Sequence, residues 1–215
     1  MAAGGIASVS ALTGIILAFV LALTNQAIDT YQSNVSVEAS QIRNMDKLLS
    51  ATQNKTSLQC RQPLFAYASS IIDDEWNQLQ FQKGSSKTSA FLTTLEKCLV
   101  SIQPDTPMQS ALYLEITKLS NLITESRETR IANSANQLST VFWEVIHIGL
   151  LLTIVLSALA FYTAGKIRVI NCSIQVISIS ILIALVMLLD HPFTGSNGVN
   201  NTPIVDVIAH LKAGI

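Results

Sequence analysis

No lysine, arginine or histidine occurs before Arg43, and charge of either sign is scarce throughout: Asp, Glu, Lys and Arg make up 13% of 215 residues and sum to a net −1. A cleaved export signal opens on Lys or Arg and has a short apolar core, so the missing basic start argues against one. With a near-zero balance, no basic patch points to nucleic acid or to an anionic lipid surface. The chain has three histidines and three cysteines, with no cysteine pair at zinc spacing. Glu144-Val-Ile-His147 has the Glu-x-x-His spacing of di-metal bundles, but such a site needs a second copy and two more carboxylates. P-loop and nucleophile-elbow patterns are missing as well. The expectation is therefore no enzyme, no cofactor and no metal.

What is abundant is apolar: 49% of residues are hydrophobic and mean hydropathy is +0.43. That balance describes a membrane protein. Ile6 to Ile28 carries no charge for 23 residues, which is roughly 34 Å of helix against a hydrocarbon core of about 30 Å. Val145 to Gly165 is a second uncharged run interrupted only by His147, and Val169 to Leu189 is a third. These runs divide the chain into a first transmembrane helix (6–28), a helical extramembrane domain (29–141), a second and a third transmembrane helix (142–165 and 167–189), and a loop with a short amphipathic helix (190–215). The fold class is all-α: an integral membrane protein with three transmembrane helices and an antiparallel helical-bundle extramembrane domain. Lys166 and Arg168 lie in the hairpin turn with no acid nearby, and short basic loops stay cytoplasmic, which places residues 29–141 outside. Arg127 and Arg130, on the other side of the second span, pull the opposite way. In an oxidising compartment Cys60 and Cys98 are candidates for a disulfide; two cysteines also occur by chance. Cys172 sits inside a span and reads as packing.

Four helical stretches fill the extramembrane domain. Tyr31, Val35, Ala39, Ile42 and Leu49 continue the first span as one amphipathic helix to about Ala51. A second helix starts near Pro63 and carries Phe65, Ala68, Ile72, Trp76 and Leu79 on its apolar side. Gly84-Ser85-Ser86 is a turn, and a third helix runs from about Thr88 to Ile102. The fourth begins at Pro107 with Thr106 as its cap. No proline or glycine intervenes until Gly149, so it is expected to enter the second span without a joint. Its stripe of Leu112, Ile116, Leu119 and Ile123, extended in 100° steps, turns Arg127 and Arg130 inward.

Helix rise then puts Arg130 about 18 Å, Glu38 about 15 Å and Glu75 about 17 Å from the membrane edge. Glu38, Glu75, Arg127 and Arg130 thus form one inward layer of two acids and two bases, while Asp73 and Asp74 point outward. The layer reads either as ionic pairing that fixes bundle register or as a site for an anionic ligand, since two inward arginines can hold a carboxylate or phosphate. In an oligomer the same arginines would make a cationic ring.

Asn171, Gln175 and Ser178 form a polar stripe on the third span, which suits either interhelical hydrogen bonding or a wet path. Ser10, Gly14, Ala18 and Ala22 in the first span, and Gly149, Thr153 and Ser157 in the second, are small residues every fourth position, as close helix packing requires. After the last span, Asp190 and His191 are read as capping the next turn. A helix starting at Thr202-Pro203 presents Val205, Ile208 and Leu211 to the domain or the membrane surface.

Several short patterns together resemble the bacterial bestrophin-like domain family, long carried as a domain of unknown function. They are the small-residue first span leading to Val37-Glu38-Ala39, Tyr67 followed by Glu75-Trp76, Arg127 with Arg130, Phe142-Trp143 opening the next span, and Leu189-Asp190-His191-Pro192-Phe193-Thr194-Gly195 after the last. The ending, with Asp190, Pro192, Phe193 and Gly195, is the most specific. The resemblance implies, by analogy, a homo-oligomeric anion channel in a bacterial inner membrane; the three spans make the lipid bilayer its partner, and the basic hairpin turn makes the extramembrane domain periplasmic. The pore-lining and calcium-binding motifs of true bestrophins have no match in the chain. The alternative is a non-conducting sensor or accessory subunit whose bundle binds a small anionic ligand or a partner protein.

Overall fold

The computed structural model describes residues 2–136, 138–161, 166–194 and 198–214. Among them every regular element is helical: α1 (Ala2–Ala51), α2 (Lys55–Gln59), α3 (Arg61–Ser70), a π turn (Ile71–Glu75) leading into α4 (Trp76–Leu79), α5 (Ser86–Val100), α6 (Pro107–Ala135), α7 (Thr140–Phe161), α8 (Lys166–Leu189) and α9 (Thr202–Gly214). Three helical stretches, carried by α1, α7 and α8, are long and apolar enough to cross a membrane. Lys166 and Arg168, expected in the hairpin turn, fall in the first turn of α8; residues 162–165 and the side chains of Lys166 and Arg168 lie outside the described residues.

The chain divides into two compact units, residues 1–28 with 137–192 and residues 29–136 with 193–215. In the first, Leu17 and Val20 of α1, Ile146 of α7, and Ile179 and Val186 of α8 make a small core. Large apolar side chains such as Phe19, Leu151, Ile177 and Ile181 stay exposed, as a lipid-facing surface requires. The second span's small stripe packs as expected, with Thr153 and Ser157 buried. The first span differs. Its buried face is Ser10, Thr13, Leu17, Val20 and Thr24, whereas Ala18 and Ala22 are exposed. Spacing alone predicts the smallest residues on the packed face, but the larger, threonine-bearing face is the one that meets α7.

The fourth helix does not enter the span without a joint. α6 ends at Ala135 with Asn136 extended (φ −77°, ψ 102°), and α7 begins at Thr140. Asn133, Ser134, Asn136, Ser139 and Thr140 crowd this stretch, and such side chains compete for backbone hydrogen bonds and weaken a helix without any glycine or proline.

In the second unit Ile42, Met45 and Leu49 of α1, Leu64, Tyr67 and Ile71 of the α3 rod, Leu95 of α5, and Ile116 and Ile123 of α6 are buried. Helix starts are built by caps: Asn54 accepts from Thr56 and Ser57 N–H, Ser85 from Thr88 N–H, and Thr106 from Gln109 N–H with Pro107 at the first helical position. Cys60 and Cys98 are disulfide-bonded with their Cα atoms 5.6 Å apart. The bridge spans a sequence separation of 38, and closing such a loop is worth about 4 kcal/mol on the chain-entropy account. The buried face of the α3 rod is Leu64, Tyr67, Ala68, Ile71, Glu75 and Leu79; Phe65, Ile72 and Trp76, expected on it, are half-buried beside it. Helix α9 lies on the domain, burying Ile204, Val207 and Leu211, and leaves Val205 exposed.

A β-carbon at Gly149 would lie 2.8 Å from Thr13 Oγ1 and 3.1 Å from its Cγ2, whereas at Gly14 it would meet nothing within 4 Å. Gly149→Ala is expected to lower stability by about 1–2 kcal/mol, because a β-branched neighbour cannot step aside. Gly14→Ala is expected to be neutral or slightly stabilising. Melting temperatures of the two variants in one detergent check the opposite signs.

Candidate functional site: a buried four-charge cluster

Arg127 and Arg130 are three residues apart on α6, so they leave the helix on one face, and both are buried. Glu38 arrives from α1, and Glu75 from the last position of the π turn; both are fully buried. Arg130 donates through Nε to Glu38 Oε2 at 2.7 Å, and through Nη2 to Glu38 Oε1 at 3.1 Å and Glu75 Oε1 at 2.9 Å. Arg127 donates through Nε to both Glu75 oxygens at 3.1 Å, and its Nη2 adds a further contact to Glu75 Oε2. Glu75 is thus shared between two guanidinium groups, and Glu38 is held by one. Two charges of each sign leave the cluster neutral.

Neutral donors complete the carboxylates' shells. Ser85 N–H donates to Glu75 Oε2 at 2.9 Å, and Tyr67 hydroxyl donates to Glu38 Oε1 at 3.3 Å. Arg127 also reaches the Ser85 carbonyl and Ser89 Oγ. The chain passes this close because position 84 is glycine: a β-carbon there would stand 2.7 Å from Ile131 Cδ1 and 3.4 Å from Arg127 Nη2. The π turn adds its own accommodation, since Thr88 Oγ1 donates to the Ser70 carbonyl, where the helix ladder changes step. Asp73 is exposed, and Asp74 pairs at the surface with Lys87.

Burial pushes the Glu75 carboxyl up, but the hydrogen bond from Arg127, the charge of Arg130 and the Ser85 amide outweigh it and hold it below its ordinary value. Burial works against the Arg130 charge, and Glu38 more than restores it, so its pKa is raised. Burial, then the Glu38 charge, push Tyr67 well up, which keeps the phenol protonated and able to donate. The cluster is a closed ionic lock in which every carboxylate already has a guanidinium. Arg130 Nη1 and Asn133 Nδ2 are buried with no hydrogen-bond partner.

The remaining sequence-derived residues lie elsewhere. In the first unit Asn171 and Ser178 are exposed on α8 and Gln175 is half-buried. Asp190 is buried, but it does not cap its own turn: its carboxylate accepts from Leu138 N–H, just before α7, and from Trp143 Nε1 at 3.3 Å. Pro192 is buried. In the second unit Phe193 stacks on Tyr31 (centroids 6.4 Å) and meets Trp76 edge-on at 5.8 Å. Gly195 lies outside the described residues. Periodicity does not find the Asp46–Arg61 pair, bidentate at 2.7 and 3.1 Å, with Arg61 also donating to the Gly214 carbonyl. The available signal is an acid on the buried face of α1 opposite the chain's next arginine.

A family model, the bestrophin-like domain, matches residues 3–204. The chain belongs to the bestrophin-like domain family. No curated protein and no solved structure matches it. Glu38, Tyr67, Glu75, Arg127, Arg130 and Asp190 therefore all lie within the matched bestrophin-like region.

Arg130→Met leaves Glu38 buried with only a phenol, and is expected to cost about 3–5 kcal/mol. Adding Glu38→Leu removes the orphaned charge while Glu75 keeps Arg127, so the double variant is expected to be more stable than the single one; equilibrium denaturation measures both. The depressed Glu75 value means its stabilisation is complete above the unfolded value near 4.5 and is lost as pH falls through the lower folded value. Melting temperature is expected to drop below about pH 4.5, and less steeply in Glu75→Gln.

Proposed function

We propose that this bestrophin-like membrane protein is not an enzyme but assembles with copies of itself into an anion-conducting channel, in which the four-charge cluster holds the bundle together and the α8 polar stripe faces a wet path. The observation that carries this is the state of Asn171 and Gln175. The two amides share one face of α8 with Ser178, and neither makes a hydrogen bond among the described residues. Ser178 satisfies itself by donating to the Ile174 carbonyl at 2.9 Å, but a primary amide cannot do the same for all its groups. In hydrocarbon an unpartnered amide costs several kcal/mol, so water or a neighbouring subunit is the environment that suits this face.

The Cys60–Cys98 disulfide supports a second unit that faces an oxidising compartment, the periplasm if the membrane is a bacterial inner one. It agrees with Lys166 and Arg168, in the first turn of α8, lying on the cytoplasmic side. The cluster's neutrality argues against Arg127 and Arg130 as a cationic ring, because Glu38 and Glu75 cancel their charge at contact distance.

Efflux of chloride from liposomes holding the purified protein tests the reading. Wild type is expected to conduct. Asn171→Leu/Gln175→Leu is expected to lose at least tenfold in flux while keeping its oligomer mass. An intact wild-type oligomer without flux, or a double variant conducting at the wild-type rate, would sink the proposal.

A further inference from the structure

The second unit has an open cleft of about 500 Å³ between α1 and the start of α9, lined by both polar and apolar residues, far larger than a water site and within the range of small-molecule pockets. One wall is a stripe of α1, Gln32, Ser36 and Arg43; the other is formed by Asn200, Thr202 and Asp206. The walls are tied at one end, where Gln32 Nε2 donates to the Asn200 carbonyl at 3.2 Å and Asn200 N–H donates to Gln32 Oε1 at 2.6 Å. Ser36 is spent on the Gln32 carbonyl and Thr202 on Asn200 Oδ1. Of the residues left over, Arg43 and Asp206 are the charged ones.

Arg43 and Asp206 carry opposite charge and line the same cleft, yet neither has an ion-pair partner among the described residues. Arg43 Nε is buried without any hydrogen-bond acceptor. The other arginines of this unit that line the bundle each hold a carboxylate, Arg61 that of Asp46, Arg127 that of Glu75 and Arg130 those of Glu38 and Glu75, whereas Arg43 holds none. A buried guanidinium nitrogen lacking an acceptor carries a desolvation cost that a carboxylate on a ligand would relieve. Asp206, on the α9 wall of the same cleft, offers a carboxylate to a cationic group on the same molecule.

We propose that this cleft binds a small zwitterion, its carboxylate on Arg43 and its ammonium on Asp206, the chemistry of a free amino acid. The cleft shares no lining residue with the four-charge cluster or with the α8 stripe, so binding there is tested independently of conduction.

Calorimetric titration of the purified full-length protein in detergent with glycine, β-alanine and 6-aminohexanoate tests it, with acetate and methylammonium as single-charge controls. At least one zwitterion is expected to bind saturably at one per chain, and at least tenfold more tightly than either control. The preferred chain length reports the separation of the two charges. Arg43→Gln is expected to weaken that binding at least tenfold. Asp206→Asn, at an exposed position that leaves the fold intact, is expected to reduce the preferred zwitterion to the affinity of acetate. The proposal is overturned if none of the three zwitterions binds, if acetate matches the best of them in wild type, or if Asp206→Asn with an unchanged melting temperature binds like wild type.

Discussion

Two guanidinium groups three residues apart on one face of α6 set the terms for the second unit. Once Arg127 and Arg130 are turned inward, their charge has to be met by carboxylates within hydrogen-bond distance, because an unpaired buried ion costs more than one helix contact returns. Glu38 and Glu75 meet it from two other elements, and Glu75 serves both arginines. Much of the local geometry is subordinate to that arrangement. Position 84 is glycine so that Ser85 can approach, Tyr67 spends its hydroxyl on Glu38, and the rod widens into a π turn where it delivers Glu75. Such a lock contributes specificity more than net stability: slipping any of the three elements by one position would strand a charge.

Two simple regularities make the cluster legible in the sequence. A 100° step per residue turns Arg127 and Arg130 inward, and a rise of about 1.5 Å per residue puts four side chains from three helices at one level. The buried stripe of the rod formed by α3, the π turn and α4 is harder, because apolar residues also flank it, Phe65, Ile72 and Trp76 being half-buried. Leu64, Ile71 and Leu79 share the interior with Ser70 and Glu75, and polar residues on a buried face look like solvent to a periodicity argument. The break before α7 is invisible for a related reason. It is made by a run of side chains that weaken helices, with neither glycine nor proline, and by Asp190, some fifty positions away, accepting from Leu138 N–H. Pairs such as Asp46 with Arg61 depend on where helix ends meet, which local pattern does not encode.

The two units solve opposite solvent problems with the same element. In the first, small and hydroxylated side chains let α1 and α7 approach, hydroxyls bond back to their own helix, as Thr13 does to Val9 and Thr153 to Gly149, and bulky apolar residues face outward. In the second, apolar residues turn inward and the carboxylates they bury are each matched by a guanidinium. Asn171, Gln175 and Arg43 stand out because they obey neither scheme, and the functional proposals rest on these exceptions.

The π turn also determines where this rod can change length. A π turn closes over five residues where an α turn closes over four, so it accommodates one extra residue without rotating the rest of the rod. Loss of one residue from Ile72 to Asp74 would let the turn relax to an ordinary one, with Glu75 still directed at the arginines. The same loss within Arg61–Ser70 would swing every later side chain by about 100° and pull Glu75 out of the cluster. Single-residue length variation is therefore compatible with the ionic lock at this turn, and incompatible with it one turn earlier.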